Sequence, residues 1–176
     1  DRVAEATAFL LEHGTVLDPT ISLNILRNLP RGTALETVEP DVGRIAYELW
    51  EGKRFLGGVS PDRAEQMKED VRRAMEVLGA FHDAGVPVVA GTDNGVPVFS
   101  LYLEIETYHH LAGLSPLDAI RTATIVPARA MGLDSETGTL EVGKQADITI
   151  LDRNPLVDIS NIRYVSAVMS NGHYYE

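Results

Sequence analysis

Asp93 is the residue best placed to do chemistry, because Gly91-Thr92-Asp93 directly follows Val86-Pro87-Val88-Val89-Ala90, an apolar run of strand length. Such a run suits a strand covered on both faces, as in a parallel sheet with helices outside. In a barrel of parallel strands, side chains at the carboxyl ends point into the catalytic mouth, and those at the other end serve stability. A carboxylate there can ligate a metal ion, or carry a proton from a water nucleophile to a leaving group. The same Asp could instead cap a turn, and position leaves both readings open. Asp18 and Thr20 belong to a second β-rich run, Thr15 to Thr20; they could reach the pocket mouth or serve a turn.

The other chemistry-bearing residues are more dispersed. The five histidines show no i, i+4 pair of the kind that makes a helical metal site. His13 and His82 fall at helix ends, where a cation suits the dipole. His109 and His110 follow Tyr108 on a helix, His173 sits in a terminal hairpin, and surface or capping roles are expected for all five. Glu104 lies on the helix after Asp93; a solvated helix Glu is the expectation, with a partner to the metal site as the alternative. The chain has no cysteine, so it offers neither a thiolate nor a disulfide framework.

Helices and strands alternate in a way that would position these residues. Val3, Ala6 and Leu10 mark a helix that ends before Gly14. The run from Thr15 to Thr20 is expected as a strand stopped by Pro19. Residues 21 to 59 give no second strand, but Val42, Ile45, Ala46 and Leu49 follow Pro40 at the spacing of an amphipathic helix. Ser60-Pro61 should start a long helix, with Met67, Val71, Ala74, Leu78 and Phe81 as its apolar stripe and Gly85 as its end. After Asp93, a helix carrying Leu101, Glu104, Ile105 and Tyr108 should end near Gly113. Ser115-Pro116-Leu117-Asp118 has the form of a capping box, and a last helical turn from Pro127 should end at Gly132. The pattern then turns to β: Ala146 to Leu151 is expected as a strand, and Tyr164 to Ser170 pairs with His173 to Tyr175 through Asn171-Gly172, a strong hairpin signal. This is the alternation that calls for parallel strands and right-handed crossovers, followed by a small β unit.

Composition sets outer bounds. A chain of 176 residues with 44% hydrophobic content can bury an ordinary core. A net charge of −11 and 15 basic residues without clusters beyond adjacent pairs such as Arg72-Arg73 argue against a nucleic-acid groove. No apolar stretch approaches the roughly 20 residues of a membrane helix. The absence of cysteine fits the cytoplasm without excluding secretion. Asp1-Arg2-Val3-Ala4-Glu5 shows neither an initiator Met nor a signal-peptide pattern, so the chain is expected to begin inside a longer protein.

Gly85 to Asp93 resembles the eighth barrel strand of the amidohydrolase superfamily, especially its imidazolonepropionase-like and Xaa-Pro-dipeptidase-like branch. Leu114 to Ile120 followed by Thr124 to Leu133 resembles the paired helices after that strand. Gly138-Thr139-Leu140-Glu141-Val142-Gly143-Lys144-Gln145-Ala146-Asp147 is similar to the return into a β-sandwich domain, and Asn154-Pro155-Leu156 with Asp158-Ile159 to the segment beyond. Val16 to Thr20 fits the seventh strand. These blocks come in the expected order over roughly residues 85 to 176, which is more specific than any one motif.

The resemblance implies an α/β fold: the C-terminal part of a (β/α)8 TIM-type barrel, about strands 7 and 8 with their helices, plus strands of a small β-sandwich. Residues 1–133 would be the partial barrel, with the long loop 21–59 after strand 7, and 134–176 part of the composite sandwich. It implies that Asp93 binds or adjoins a divalent metal, zinc by expectation, and shuttles a proton to the leaving nitrogen. It further implies that the histidine ligands belong to earlier strands, although Glu12-His13-Gly14 imitates a ligand motif of the sixth. Tyr102 stands where the family often has His, and Asp147 at a position with a structural role. The expected activity is hydrolysis of C–N bonds in a small amide, dipeptide or cyclic amide. The N-terminal part of the barrel would be the main partner, with association of copies as a further way to cover open sheet edges. The alternative is a non-catalytic half-barrel that docks on another chain. Loop 21–59 would rise over the active site, with Tyr47 and Trp50 either in a lid or substrate wall or packing their helix against the barrel.

Overall fold

The computed structural model describes residues 2–50, 57–93 and 95–176; the side chains of Tyr47 and Trp50 fall outside the described set, and with them the proposed lid contacts. Helix α1 (Arg2–Glu12) ends at Gly14 with φ of 59°, the left-handed turn that glycine makes without a steric penalty. Two short extended segments, around Leu17 and Val88, pair in parallel. Neither grows into the strand expected from its sequence. Pro19 and Pro87 each lack the N–H that a ladder needs, and the pairing stops at one bridge.

Between these segments lies the long excursion, and its interior differs from the sequence reading. Helix α2 (Ile21–Arg27) forms where none was expected, and the expected helix over Val42 to Leu49 does not form. In its place Val42–Arg44 makes a 3-10 turn, Ile45 is extended, and α3 (Tyr47–Trp50) is a single turn. Gly43 and the β-branched Val42 and Ile45 weaken a helix there. Burial decides the rest: Val42 joins Leu26 and Val96 in a small second core, against which Leu29, Leu35, Val38, Ile45, Phe99 and Leu103 pack.

Helix α4 (Pro61–Asp83) starts as its sequence predicts. The Ser60 hydroxyl accepts from Arg63 N at 3.3 Å, and Pro61 occupies the first turn. Its solvent face carries Glu65–Lys68 and a network in which Arg72 and Arg73 share Glu69 and Arg72 also meets Glu76. Helix α5 (Ser100–Ala112) is closed by Gly113 with φ of 78°. Helix α6 (Pro116–Arg121) carries half of the expected box: Asp118 N donates to the Ser115 hydroxyl at 3.1 Å, but the Asp118 carboxylate accepts from that hydroxyl at 2.6 Å instead of from a backbone amide. Helix α7 (Ile125–Ala130) completes the helical part.

The tail forms a three-stranded antiparallel sheet in the order β1 (Ile148–Leu151), β2 (Val165–Ser170), β3 (His173–Tyr175). Asn171 and Gly172 both have positive φ, 48° and 78°, as a type I′ hairpin requires. Asp147 has the structural role expected of it: its Oδ1 accepts from Asn171 N at 2.6 Å and ties β1 to that turn. The main core joins the two parts, since Ile159 and Ile162 of the 3-10 segment Ile159–Arg163 pack with Val71, Met75, Leu78, Val88, Ile105 and Tyr108.

Helices α4 and α5 meet without a side chain between them at Gly79. A Cβ there would overlap the Ala112 carbonyl oxygen and stand 3.2 Å from its carbon. Gly79→Ala would gain up to about 1 kcal/mol of helix propensity, whereas forcing a methyl into a packed contact costs about 1–3 kcal/mol. The steric cost should win, and urea unfolding of the variant should show a lower midpoint with an unchanged slope. An unchanged or raised midpoint would mean that the two helices part easily.

Candidate functional site

The parallel bridge determines which residues can meet. Leu17 N donates to Pro87 O and Val89 N to Leu17 O, both at 2.9 Å, so the two segments run side by side in one direction and lead the chain out at the same end. One segment continues into Asp18, the other into Gly91-Thr92-Asp93. The Asp18 carboxylate packs on Gly91 so closely that a Cβ there would overlap both of its oxygens. Glycine at 91 is thus a condition of the approach. Asp18 Oδ1 also accepts from the Thr20 hydroxyl at 3.1 Å. The structure brings Asp18, Thr20 and Gly91 together and leaves Asp93 exposed two residues further on.

Both exits turn through left-handed backbone, Thr20 with φ of 50° and Asp93 with φ of 43°. Asp tolerates this region, whereas β-branched Thr rarely enters it, and such residues cost of order 1–3 kcal/mol each. Strain of this kind collects where a side chain has to be aimed.

The histidines go elsewhere. His13 stacks on Phe9, with its Nδ1 2.8 Å from the Phe9 carbonyl; His109 Nδ1 lies 2.7 Å from the Leu114 carbonyl beside the His110 ring. His82 closes α4 half-buried, and His173 opens β3. Among the described residues no three His, Cys, Asp or Glu side chains converge on one point.

Glu104 corrects the expectation of a solvated helix carboxylate, because it is fully buried. Its Oε1 accepts from Ile21 N at 2.9 Å and its Oε2 from Ser22 N at 2.6 Å, the first two amides of α2. The Tyr108 hydroxyl stands 2.7 Å from Oε1 and 3.0 Å from the Val89 carbonyl. Burial pushes the Glu104 carboxyl above the usual carboxylate range, while the Tyr108 hydroxyl and the two amides pull it back. Burial, then the nearby Glu104 charge, raises the Tyr108 hydroxyl far above its ordinary value.

A second buried carboxylate, Glu39, gave no signal in the sequence because its partner lies 124 residues away. Arg163 donates from Nη1 to Glu39 at 2.8 Å, and from Nε and Nη2 to the two oxygens of Glu106, both at 2.7 Å. One guanidinium therefore ties the excursion to α5 and to the C-terminal segment. The Tyr102 ring lies 5.3 Å from its carbon, so Tyr102 borders this cation. Glu39 Oε1 is buried without a hydrogen-bond partner among the described residues. Desolvation raises the Glu39 carboxyl to about 7 against the pull of Arg163, while Arg163 stays charged in either state of Glu39.

The sequence pattern of the Amidohydrolase family matches residues 2–174. The chain belongs to the amidohydrolase family. It is 33% identical over 101 residues to an imidazolonepropionase of Thermoplasma volcanium, a match over 52% of this chain and 24% of that protein. An ochratoxinase of Aspergillus niger is 36% identical over 86 residues, 48% of this chain and 18% of the relative. The matched part of the chain thus spans about a quarter or less of the length of these curated relatives. Among solved structures, a Xaa-Pro dipeptidase with bound methionine in its active site superposes with a TM-score of 0.67 at 25% identity, over 98% of this chain and 37% of that one. The A. niger ochratoxinase gives 0.64 at 22% identity, over 98% and 34%, a likeness of fold. Family membership implies a TIM-barrel-type fold, of which this amidohydrolase chain carries a mainly helical portion and a small antiparallel sheet.

The Glu39 carboxyl of this amidohydrolase has a testable sign. Its value rises from the ordinary 4.5 to about 7, so between these limits the folded chain binds a proton that the unfolded chain has released. Stability from this group is therefore fully present below about 4.5 and lost as pH rises through about 7. Melting temperatures measured from pH 5 to 8 should fall more steeply in wild type than in Glu39→Gln, which cannot titrate. Parallel curves would remove Glu39 as the cause.

Proposed function

We propose that this chain forms the C-terminal part of a metal-dependent hydrolase of C–N bonds, with residues 15–20 and 86–90 as the seventh and eighth barrel strands. The observation that carries the reading is the parallel bridge, which aims Asp18 and Asp93 out of the same end of adjacent segments. Catalytic groups of such barrels come from that end. Family membership and relatives that include a dipeptidase and an imidazolonepropionase support small amides, dipeptides or cyclic amides as the substrate class.

The residues present fit a divalent cation in part. Asp93 is an exposed carboxylate at the segment end, a hard oxygen donor on a turn that aims it outward. A zinc centre asks for at least three protein ligands, so this reading takes histidines from the remaining N-terminal part of the barrel. Bound there, the ion would make water acidic near neutrality. Asp93 accepts the proton released by the nucleophile on a carboxylate oxygen and gives it to the departing nitrogen. Asp18, fixed against Gly91 and by Thr20, borders the mouth, and the excursion that follows it would supply a substrate wall, a reading that includes Tyr47 and Trp50, whose side chains lie outside the described set.

Asp93→Asn in the complete barrel keeps the shape and removes the proton-accepting charge. Histidines should retain most of the metal, while turnover of an accepted amide or dipeptide should fall about a hundredfold or more, the scale of general acid–base catalysis. Metal content and rates measured on the same preparations decide the matter. Near wild-type turnover at full metal occupancy would leave Asp93 as a turn residue.

A further inference from the structure

One side chain that the proposed chemistry does not use holds both of its loops. Glu104 is fully buried on α5, and its carboxylate is met by donors alone: Ile21 N and Ser22 N at 2.9 and 2.6 Å, and the Tyr108 hydroxyl at 2.7 Å. Ile21 and Ser22 come directly after Thr20, the left-handed residue whose hydroxyl binds Asp18. Thr20 itself provides no side-chain cap for α2. The start of α2 is therefore fixed from 83 and 82 residues away, and with it the direction in which the chain leaves Asp18. Tyr108, equally buried, sits one helical turn further along α5 and divides its single hydroxyl proton between Glu104 and the Val89 carbonyl, 3.0 Å away and four residues ahead of Asp93. Among the described residues the two segments meet at one bridge only, so little else in the backbone fixes their relative height at this end.

We propose that Glu104, acting with Tyr108, is a positioning residue that sets the Asp18 and Asp93 exits relative to one another. The proposal rests on the reading of Asp93 as the acid–base group. Glutamine cannot replace Glu104, because its amide nitrogen would face a backbone donor in either orientation and one of the two amides would lose its acceptor. Tyr108→Phe is milder: it keeps the ring in the core and leaves Glu104 its two backbone partners.

The test uses the complete barrel, with Asp93→Asn, Tyr108→Phe and Glu104→Gln measured together for kcat, KM, metal content and hydrogen exchange of the Ile21 and Ser22 amides. Tyr108→Phe should lower kcat about tenfold, short of the roughly hundredfold that a 1 Å misplacement can cost, with KM and metal content nearly unchanged. Glu104→Gln should lower kcat further and speed exchange at Ile21 and Ser22. A merely structural role would lower the melting temperature and leave kcat alone; that result in Tyr108→Phe, beside an inactive Asp93→Asn, overturns the positioning role and spares the acid–base reading. Full turnover by Asp93→Asn overturns both. If Glu104→Gln does not fold, Tyr108→Phe decides by itself.

Discussion

A carboxylate buried without a cation has to find its donors in the backbone, and in this chain that need organises the fold around α5. Among the described residues Glu104 makes no ion pair; it is met by two amides and one hydroxyl. An unsatisfied buried carboxylate would cost several kcal/mol, so α2 must start where its free amides reach this group. The requirement runs both ways: the first amides of a helix need acceptors, and Thr20 at the start of α2 supplies none from its side chain. Helix, carboxylate and Tyr108 thus form one unit.

Two residues further along α5, the same problem has a different solution. Glu106 and the distant Glu39 share Arg163, which brings a cation into the protein from the C-terminal part. Three groups of net charge −1 are closed into a small space, and the imbalance falls on Glu39, whose second oxygen has no partner among the described residues. A proton can restore neutrality there. The result is a tie between the excursion, the central helix and the tail whose strength follows pH, whereas Glu104 is held by two backbone amides and the Tyr108 hydroxyl, with no cation to share.

The candidate site takes its form from what these ties hold. Asp18 is pressed against a glycine, Asp93 is exposed on left-handed backbone, and the bridge between their segments is one residue pair long. Beside that short pairing, α5 reaches both segments: Glu104 meets the first amides of α2, and the Tyr108 hydroxyl lies 3.0 Å from the Val89 carbonyl.

Local signals were legible wherever a residue acts on its immediate neighbours. The Ser60-Pro61 start of α4, the Ser115 cap of α6, the helix-ending glycines at 14 and 113, and the Asn171-Gly172 hairpin could all be read from sequence, because each depends on hydrogen bonds or φ angles within a few residues. The position of Asp93 after an apolar run and the blocks from Gly85 to Ile159 were enough to point to the family. What the sequence hid was decided at long range. Helix α2 depends on an acceptor 82 residues away, Glu39 on a cation 124 residues away, and the failed helix after Pro40 on a core that claimed Val42. Periodicity records which face of an element is apolar, but it does not record which buried charge will meet which donor; that is settled only when packing removes water and leaves each polar group to find a partner.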